Sequence, residues 1–252
     1  MTARDTPAGD FDYEAGGEGY ATVRRTDPRI AAYVHAALGN SRTVLNVGAG
    51  AGSYEPQDRY VVAVEPSAAM RAQRSSPAVD ATAEKLPFDD DSFDAVMATV
   101  TIHQWADGDA GLRELRRVSR GPVVILTFDG PAIADFWLND YVPEVIEAEA
   151  VRYPALDHIA SVLGGEVTVT TVPVALDCVD GFAEAFYGRP EALLDAAVRR
   201  SQSAWGFVPE EAAGRGIERL RTALASGEWD ERFGHLRTQR EFTGALRLVV
   251  AT

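Results

Sequence analysis

What this chain has little of excludes several functions at once. Cysteine occurs once, at Cys178, so no intrachain disulfide and no thiolate metal cluster can form, and a reducing, cytoplasmic setting is expected. Lysine also occurs once, at Lys85, and the other basic residues are arginines, a trait that suggests GC-rich bacterial coding. Basic residues are outnumbered, 24 Lys+Arg against 38 Asp+Glu, for a net charge of −14. Such a field repels phosphate backbones and anionic headgroups, so neither nucleic acid nor a membrane is expected as a partner. No run of about 18 apolar residues exists, and the opening MTARDTPAGDFDYE lacks the apolar stretch of a signal peptide. The histidines show no H-x-x-x-H spacing, and no metal is expected.

Material for a core is plentiful, with 46% hydrophobic residues in a chain of 252. The chain is expected to fold alone, as a monomer or homodimer. Residues 1–19 are polar and glycine-rich and read as a loose lead-in. Asp27-Pro28 is a helix start, and the helix it opens carries Ile30, Val34 and Leu38 on one stripe. Short apolar runs follow at 43–47, 60–64, 93–100 and 122–128, with a weaker one at 78–82 and an amphipathic stretch around Leu112, Leu115 and Val118. Continuous apolar strands alternating with helices describe a mostly parallel sheet with helices on both faces. Beyond residue 130 a helical pattern, broken at Pro154, precedes a β-branched run at 166–174. Residues 179–240 read as all-helical, and strand pattern returns at 242–250. The expected fold is α/β: a seven-stranded sheet whose last two strands pair antiparallel around a helical insertion. The divisions are the lead-in, a core of 20–178 with 241–252, and a lid of 179–240 placed over the carboxyl ends of the strands, where open α/β sheets bind ligands.

The segment NVGAGAGSYEPQDRYVVAVEPS, residues 46–67, spaces Gly48, Gly50 and Gly52 as G-x-G-x-G. Only Ser53 to Tyr60 separate the last glycine from the next strand, with Pro56 among them, so no long helix can present its amino end to a pyrophosphate. A ligand with an adenosine and no phosphate loses little from that shortening. Glu65, ending the second strand, is placed to accept from both hydroxyls of a ribose. A tight turn with a solvated Glu65 is the alternative reading.

Further motifs follow in order: VVAVEPSAAM (61–70), AEKLPFDDDSFDAV (83–96), His103 just past a buried strand, and GLRELRRVSRGPVVILTF (111–128). Together with VLNVGAGAGSYEP (44–56), they resemble the class I S-adenosylmethionine-dependent methyltransferases, in the type 11 small-molecule group that includes ubiquinone/menaquinone C-methyltransferases. The resemblance covers roughly residues 20–130 and implies a Rossmann-like core with S-adenosylmethionine as cofactor. It further implies that Asn46, Gly48, Ala49 and Gly50 lie along the cofactor's methionine half, with Glu65 on the ribose. Pro66, Ser67 and Met70 then flank the adenine, Ala83, Glu84 and Leu86 line its other face, and Thr99 completes the set. Tyr20 and Arg24 match positions that close over the cofactor's carboxylate, with Arg25 an equally spaced rival. Where the family commonly has Gly-Asp before the Ala-Glu pair, this chain has Ala81-Thr82.

Methyl transfer from a sulfonium is an in-line displacement that asks the protein chiefly to position the nucleophile and exclude water. An acceptor that must lose a proton needs a base, and His103 is the candidate; a role in ordering its loop is the alternative. Among the aromatics after residue 130, Trp137, Tyr141 and Tyr187 are assigned with Tyr20 and His103 to the acceptor site. Arg189 is a candidate partner for a substrate carboxylate. The expected function is methyl transfer to a small, aromatic or amphipathic acceptor of bacterial secondary metabolism. A cyclase using the same cofactor and a non-catalytic partner subunit are the competing readings.

Overall fold

The first described helix begins where local chemistry says it should. The computed structural model describes residues 23–252, so the lead-in of residues 1–19 and Tyr20 lie outside the described residues. Helix α1 (Pro28–Ala37) starts as the Asp27 carboxylate accepts from the Arg29 backbone N–H at 2.9 Å, with Pro28 in a first turn that has no use for its missing N–H. Ile30, Ala31 and Val34 form its buried stripe.

Strands β1 (Thr43–Val47), β2 (Tyr60–Val64), β3 (Ala95–Thr99) and β4 (Val123–Phe128) pair in parallel. Between β2 and β3 lies the short helix α2 (Ala68–Ala72), capped by Ser67, whose Oγ accepts from Met70 N at 3.1 Å. Helix α3 (Gly108–Val118) joins β3 to β4. Later come β5 (Val167–Thr171), β6 (Val174–Ala175), β7 (Glu241–Phe242) and β8 (Leu246–Ala251). Strand β8 lies antiparallel between β4 and β5, giving a six-stranded sheet in the order β2-β1-β3-β4-β8-β5.

The expected seventh strand at 78–82 is reduced to one bridge, Val64 to Val79, made by Val79 N to Ala63 O at 2.8 Å and Glu65 N to Val79 O at 3.0 Å. Pro77 has no N–H to extend the ladder, and the Asp80 carboxylate turns to Arg71 at 3.1 Å. The runs at 166–174 and 242–250 are each divided, at Pro173 and at Gly244. Their outer pieces pair as the small β6–β7 ribbon at the neck of the insertion.

Period-two alternation sends the strands' side chains to two cores. Val124, Leu126 and Phe128 of β4 pack with α1 and the helical layer, while Val123 and Ile125 pack with Leu112, Leu115 and Val118 of α3. That layer comprises α4 (Gly130–Ile133) and α5 (Pro143–Ala150), then α7 (Ala196–Arg200), α8 (Glu210–Ser226) and α9 (Glu228–Phe233), whereas α6 (Leu156–Leu163) packs beside α3 in the other core. Phe136, Trp137, Val145 and Ile146 share one apolar cluster with Phe182, Leu220 and Trp229. The layer above the sheet is therefore built from residues 130–153 as well as the insertion, because large side chains from both segments need the same cover. No helix among the described residues is long and apolar enough to cross a membrane.

Candidate active site

At the carboxyl ends of β1 and β3 the backbone takes conformations that ordinary strand ends avoid. Gly48 has φ +67°, and a Cβ there would stand 2.1 Å from Thr101 Oγ1, so the glycine loop rests directly on the segment after β3. Val100 has φ +51°, a left-handed conformation that costs a β-branched residue on the order of 1–3 kcal/mol unless its surroundings enforce it. Tyr54, in the same loop system, has φ +64°.

No helix follows the glycine loop before β2, and a buried arginine takes over the fastening. The Nη1 of Arg74 donates to the carbonyls of Ala49 and Gly50, both at 3.2 Å, and its Nη2 donates to Glu55 Oε1 at 2.7 Å. That same oxygen accepts from Asn46 Nδ2 at 2.9 Å. One guanidinium thus ties the loop's carbonyls to its descending limb.

Glu65 closes the pocket's far side. Its Oε2 accepts from Gly50 N at 2.8 Å and its Oε1 from Ser67 N at 2.9 Å, which fixes the carboxylate while leaving each oxygen a second lone pair. Burial pushes its pKa above the usual carboxylate value, opposed by the two N–H groups and by Arg71 and Arg74. Gly48, Ala49, Gly50, Ser53, Glu65, Met70, Thr99, Val100, Thr101 and Gln104 line this pocket.

A second cavity adjoins it, between the ends of β3 and β4 and the helical layer, and Val100 and Gln104 line both. His103, Phe128, Phe136, Glu149, Tyr153, Phe182, Glu184 and Arg24 contribute to its wall. The His103 ring packs on Tyr153 with centroids 4.5 Å apart, its Nε2 lies 3.3 Å from Gln104 Nε2, and its buried Nδ1 has no hydrogen-bond partner among the described residues. Burial, then the charges of Arg152 and Arg24, hold its pKa well below the usual histidine value, so the ring is neutral at physiological pH. The Tyr153 hydroxyl donates to Glu149 Oε1 at 2.9 Å, and the other oxygen of Glu149 accepts from Arg152 at 3.0 Å. Arg24 reaches the cavity already paired: its Nε donates to Asp180 Oδ1 at 2.6 Å, and the Tyr54 hydroxyl donates to Asp180 Oδ2 at 2.7 Å.

Of the positions singled out in the sequence, Gly48, Ala49, Gly50, Glu65, Met70 and Thr99 meet in the first pocket. Asn46 lies beneath it, held by Glu55, and Pro66 and Ser67 form the turn beside Glu65. Ala83 and Leu86 are buried in the core on the α3 side, and Glu84 accepts from Ala106 N at 2.9 Å, ordering the loop after His103. Arg24 points inward, 11% exposed, whereas Arg25 is exposed.

Trp137, Tyr141, Tyr187 and Arg189, read from the sequence as acceptor contacts, do not line the second cavity. Trp137 donates to Tyr187 O at 2.9 Å, Tyr187 donates to Gln239 O at 2.6 Å, and Tyr141 packs edge-on to Trp137, so all three belong to the core of the helical layer. Arg189 spends its Nη2 on the carbonyls of Cys178 and Ala185 at 2.7 and 2.9 Å. Arg74, Tyr54, Asp180 and Glu184 went unread because their partners lie far along the chain, and Tyr153 because the His103 and Phe128 rings it packs on do.

A Rossmann-like sheet with a glycine loop at β1, an acid at the end of β2 and a histidine just past β3 defines a class I nucleoside-cofactor enzyme. The comparisons agree. A family model for a methyltransferase domain matches residues 45–125. A crystal structure described as that of a methyltransferase from an antibiotic biosynthesis pathway of Anabaena variabilis ATCC 29413 is 30% identical, covers 92% of this chain and 100% of that one, and superposes with a TM-score of 0.86. The demethylmenaquinone methyltransferase of Mycobacterium tuberculosis (strain ATCC 25618 / H37Rv) is 30% identical over 138 residues, which are 49% of this chain and 59% of that protein. The [4+2]-cyclase SpnF, 16% identical with a TM-score of 0.52 over 88% of this chain and 78% of that one, shares the fold alone. The chain belongs to the class I S-adenosylmethionine-dependent methyltransferases, the family whose cofactor is S-adenosylmethionine. It spans 59–61% of the length of the curated relatives it matches first.

Proposed function

We propose that this chain transfers a methyl group to a small organic acceptor held in the cavity beside His103, in the setting of secondary metabolism. The carrying observation is that two cavities of different chemistry meet at Val100 and Gln104. One is a polar, backbone-lined cradle and the other a chamber that combines aromatic rings with charged and polar side chains, as a two-substrate transfer requires. When bound, S-adenosylmethionine supplies an electrophilic methyl on a sulfonium.

The residues present fit that cofactor. Glu65 has a free lone pair on each oxygen for a ribose diol, and Gly48 to Gly50 bring backbone close enough for the methionine half. Met70 gives the adenine an apolar contact, with Pro66 and Ser67 beside it. Ala83, Glu84 and Leu86 act from behind, through the loop they order. Arg24, rather than Arg25, is the residue that reaches the cofactor's carboxylate, together with Tyr20. His103 receives a proton from the acceptor on whichever ring nitrogen carries no hydrogen, and the buried chamber keeps water from competing. The helical layer of residues 179–240, joined by 130–153, acts as the lid.

Calorimetry with S-adenosylhomocysteine tests the reading. Wild type binds in the micromolar range or tighter, and Glu65→Ala weakens that by about tenfold or more, since it removes two hydrogen bonds to an ionised partner. Absence of binding overturns it. Incubation with methyl-labelled cofactor and a panel of acceptors then separates transfer, which moves label to product, from cyclisation, which does not.

A further inference from the structure

The second cavity carries a carboxyl that its own structure does not require. Glu184 is 4% exposed, and both its oxygens accept from a single backbone donor, Ala245 N, at 2.9 and 3.0 Å. Among the described residues no side-chain donor reaches it. The cavity's other charges are matched: Glu149 takes Arg152 at 3.0 Å and the Tyr153 hydroxyl at 2.9 Å, and Arg24 takes Asp180 at 2.6 Å. Satisfying one N–H needs only a neutral amide oxygen, whereas a buried carboxylate answered by one N–H is costly. Its position is nonetheless fixed tightly. A Cβ on Gly244 would fall 2.5 Å from Glu184 Oε1, so the chain keeps a glycine where any side chain would displace this carboxyl.

The same cavity is lined by a chain of aromatic rings. Ring centroids are 4.5 Å apart for His103–Tyr153, 5.4 Å for Tyr153–Phe128 and 5.4 Å for Phe128–Phe182. Aromatic rings beside a buried carboxyl that only a backbone N–H answers form an arrangement that stabilises an organic cation, through the ring quadrupoles and a charge-assisted hydrogen bond together. It does not suit a hard metal ion, which demands six or more oxygen ligands, nor an anion. We infer that the acceptor is an organic amine, its ammonium group held between the Glu184 carboxyl and the rings of Tyr153, Phe128 and Phe182. This rests on the methyltransferase reading of the site.

The test is calorimetry on the protein saturated with S-adenosylhomocysteine, using three probes of similar shape: 2-phenylethylamine, 2-phenylethanol and 3-phenylpropionate. The amine is expected to bind about tenfold or more tighter than the alcohol, and the carboxylate more weakly than either. Glu184→Gln keeps an oxygen for Ala245 N–H, and is expected to bring amine and alcohol within about twofold while leaving S-adenosylhomocysteine affinity unchanged. Alcohol or carboxylate binding to wild type as tightly as the amine overturns the inference without any variant, and so does a Glu184→Gln protein that keeps the preference. If S-adenosylhomocysteine binds and no probe does, the amine inference alone fails. If S-adenosylhomocysteine does not bind, the methyltransferase reading fails first.

Discussion

His103 and Glu184 face one chamber, and burial drives both toward their neutral forms, from opposite directions. For His103 the lowered pKa means the ring stays unprotonated well below the pH at which an exposed histidine charges. The acid limb of the kcat profile is therefore expected below pH 6.5, and His103→Ala is expected to cost more than about tenfold in kcat at pH 7.5. A loss smaller than that leaves His103 as an organiser of its loop. For Glu184, burial pushes the pKa up to about 7, partly offset by Ala245 N–H and Arg247 and reinforced by Glu149. Between the unfolded carboxylate value, near 4.5, and 7 the folded protein binds a proton that the unfolded chain does not. Stability is thus gained as pH falls through that window and lost as pH rises through 7, at about 1.4 kcal/mol per unit. Glu184→Gln removes the dependence, so thermal melts should show the variant above wild type at pH 8 and the difference shrinking by pH 5. A variant less stable at both pH values would mean the carboxylate is held by more than Ala245.

Elements built by local rules were legible in the chain, and those built by distant partners were not. Asp27-Pro28 names the start of α1, Asp107 caps α3 by accepting from Ala110 N at 2.9 Å, and the apolar runs become β1 to β4, because each signal lies within a few residues of its effect. The seventh strand failed because an apolar run says nothing about whether a neighbour has an edge to offer beyond Pro77. That Trp137, Tyr141 and Tyr187 lie away from the second cavity has a related reason: an aromatic in a helical block fills a core and lines a pocket with the same sequence signature. The glycine loop was legible in place but not in support, since Arg74 acts across a strand and a turn. Arg74 stands where the missing helix would have held the loop, so Arg74→Met should weaken S-adenosylhomocysteine binding by about tenfold, although its side chain is outside the pocket lining. Glu55→Gln should do less, and the double variant should cost little beyond Arg74→Met, because the two act as one unit. Additive losses in that cycle would separate the ion pair from the loop.

Across the whole molecule, one carboxylate joins three parts that fold from distant stretches of chain. Asp180, 2% exposed, holds Arg24 ahead of α1 and Tyr54 of the glycine-loop system while sitting at the root of the helical insertion. Tyr54 is further fixed by its N–H to Thr26 Oγ1 at 2.9 Å and by its carbonyl, 3.0 Å from His35 Nε2. Helical insertion, amino-terminal segment and glycine loop are therefore coupled through a buried network rather than through surface contacts. Removing one member of a buried pair strands the other, at about 3–5 kcal/mol. With about 2–4 °C per kcal/mol in a chain of this size, Asp180→Ala should lower the melting temperature by on the order of 10 °C. Asp177→Ala, which removes an exposed partner of Arg29 three residues away, should barely change it. The coupling makes a second demand that a purely structural role would not. At a temperature where both proteins are folded, Asp180→Asn should weaken S-adenosylhomocysteine binding, and saturating S-adenosylhomocysteine should slow hydrogen exchange in the wild-type insertion near residues 180–187 but not in the variant. Equal protection in both would mean that the insertion and the glycine loop share a neighbour without sharing an equilibrium.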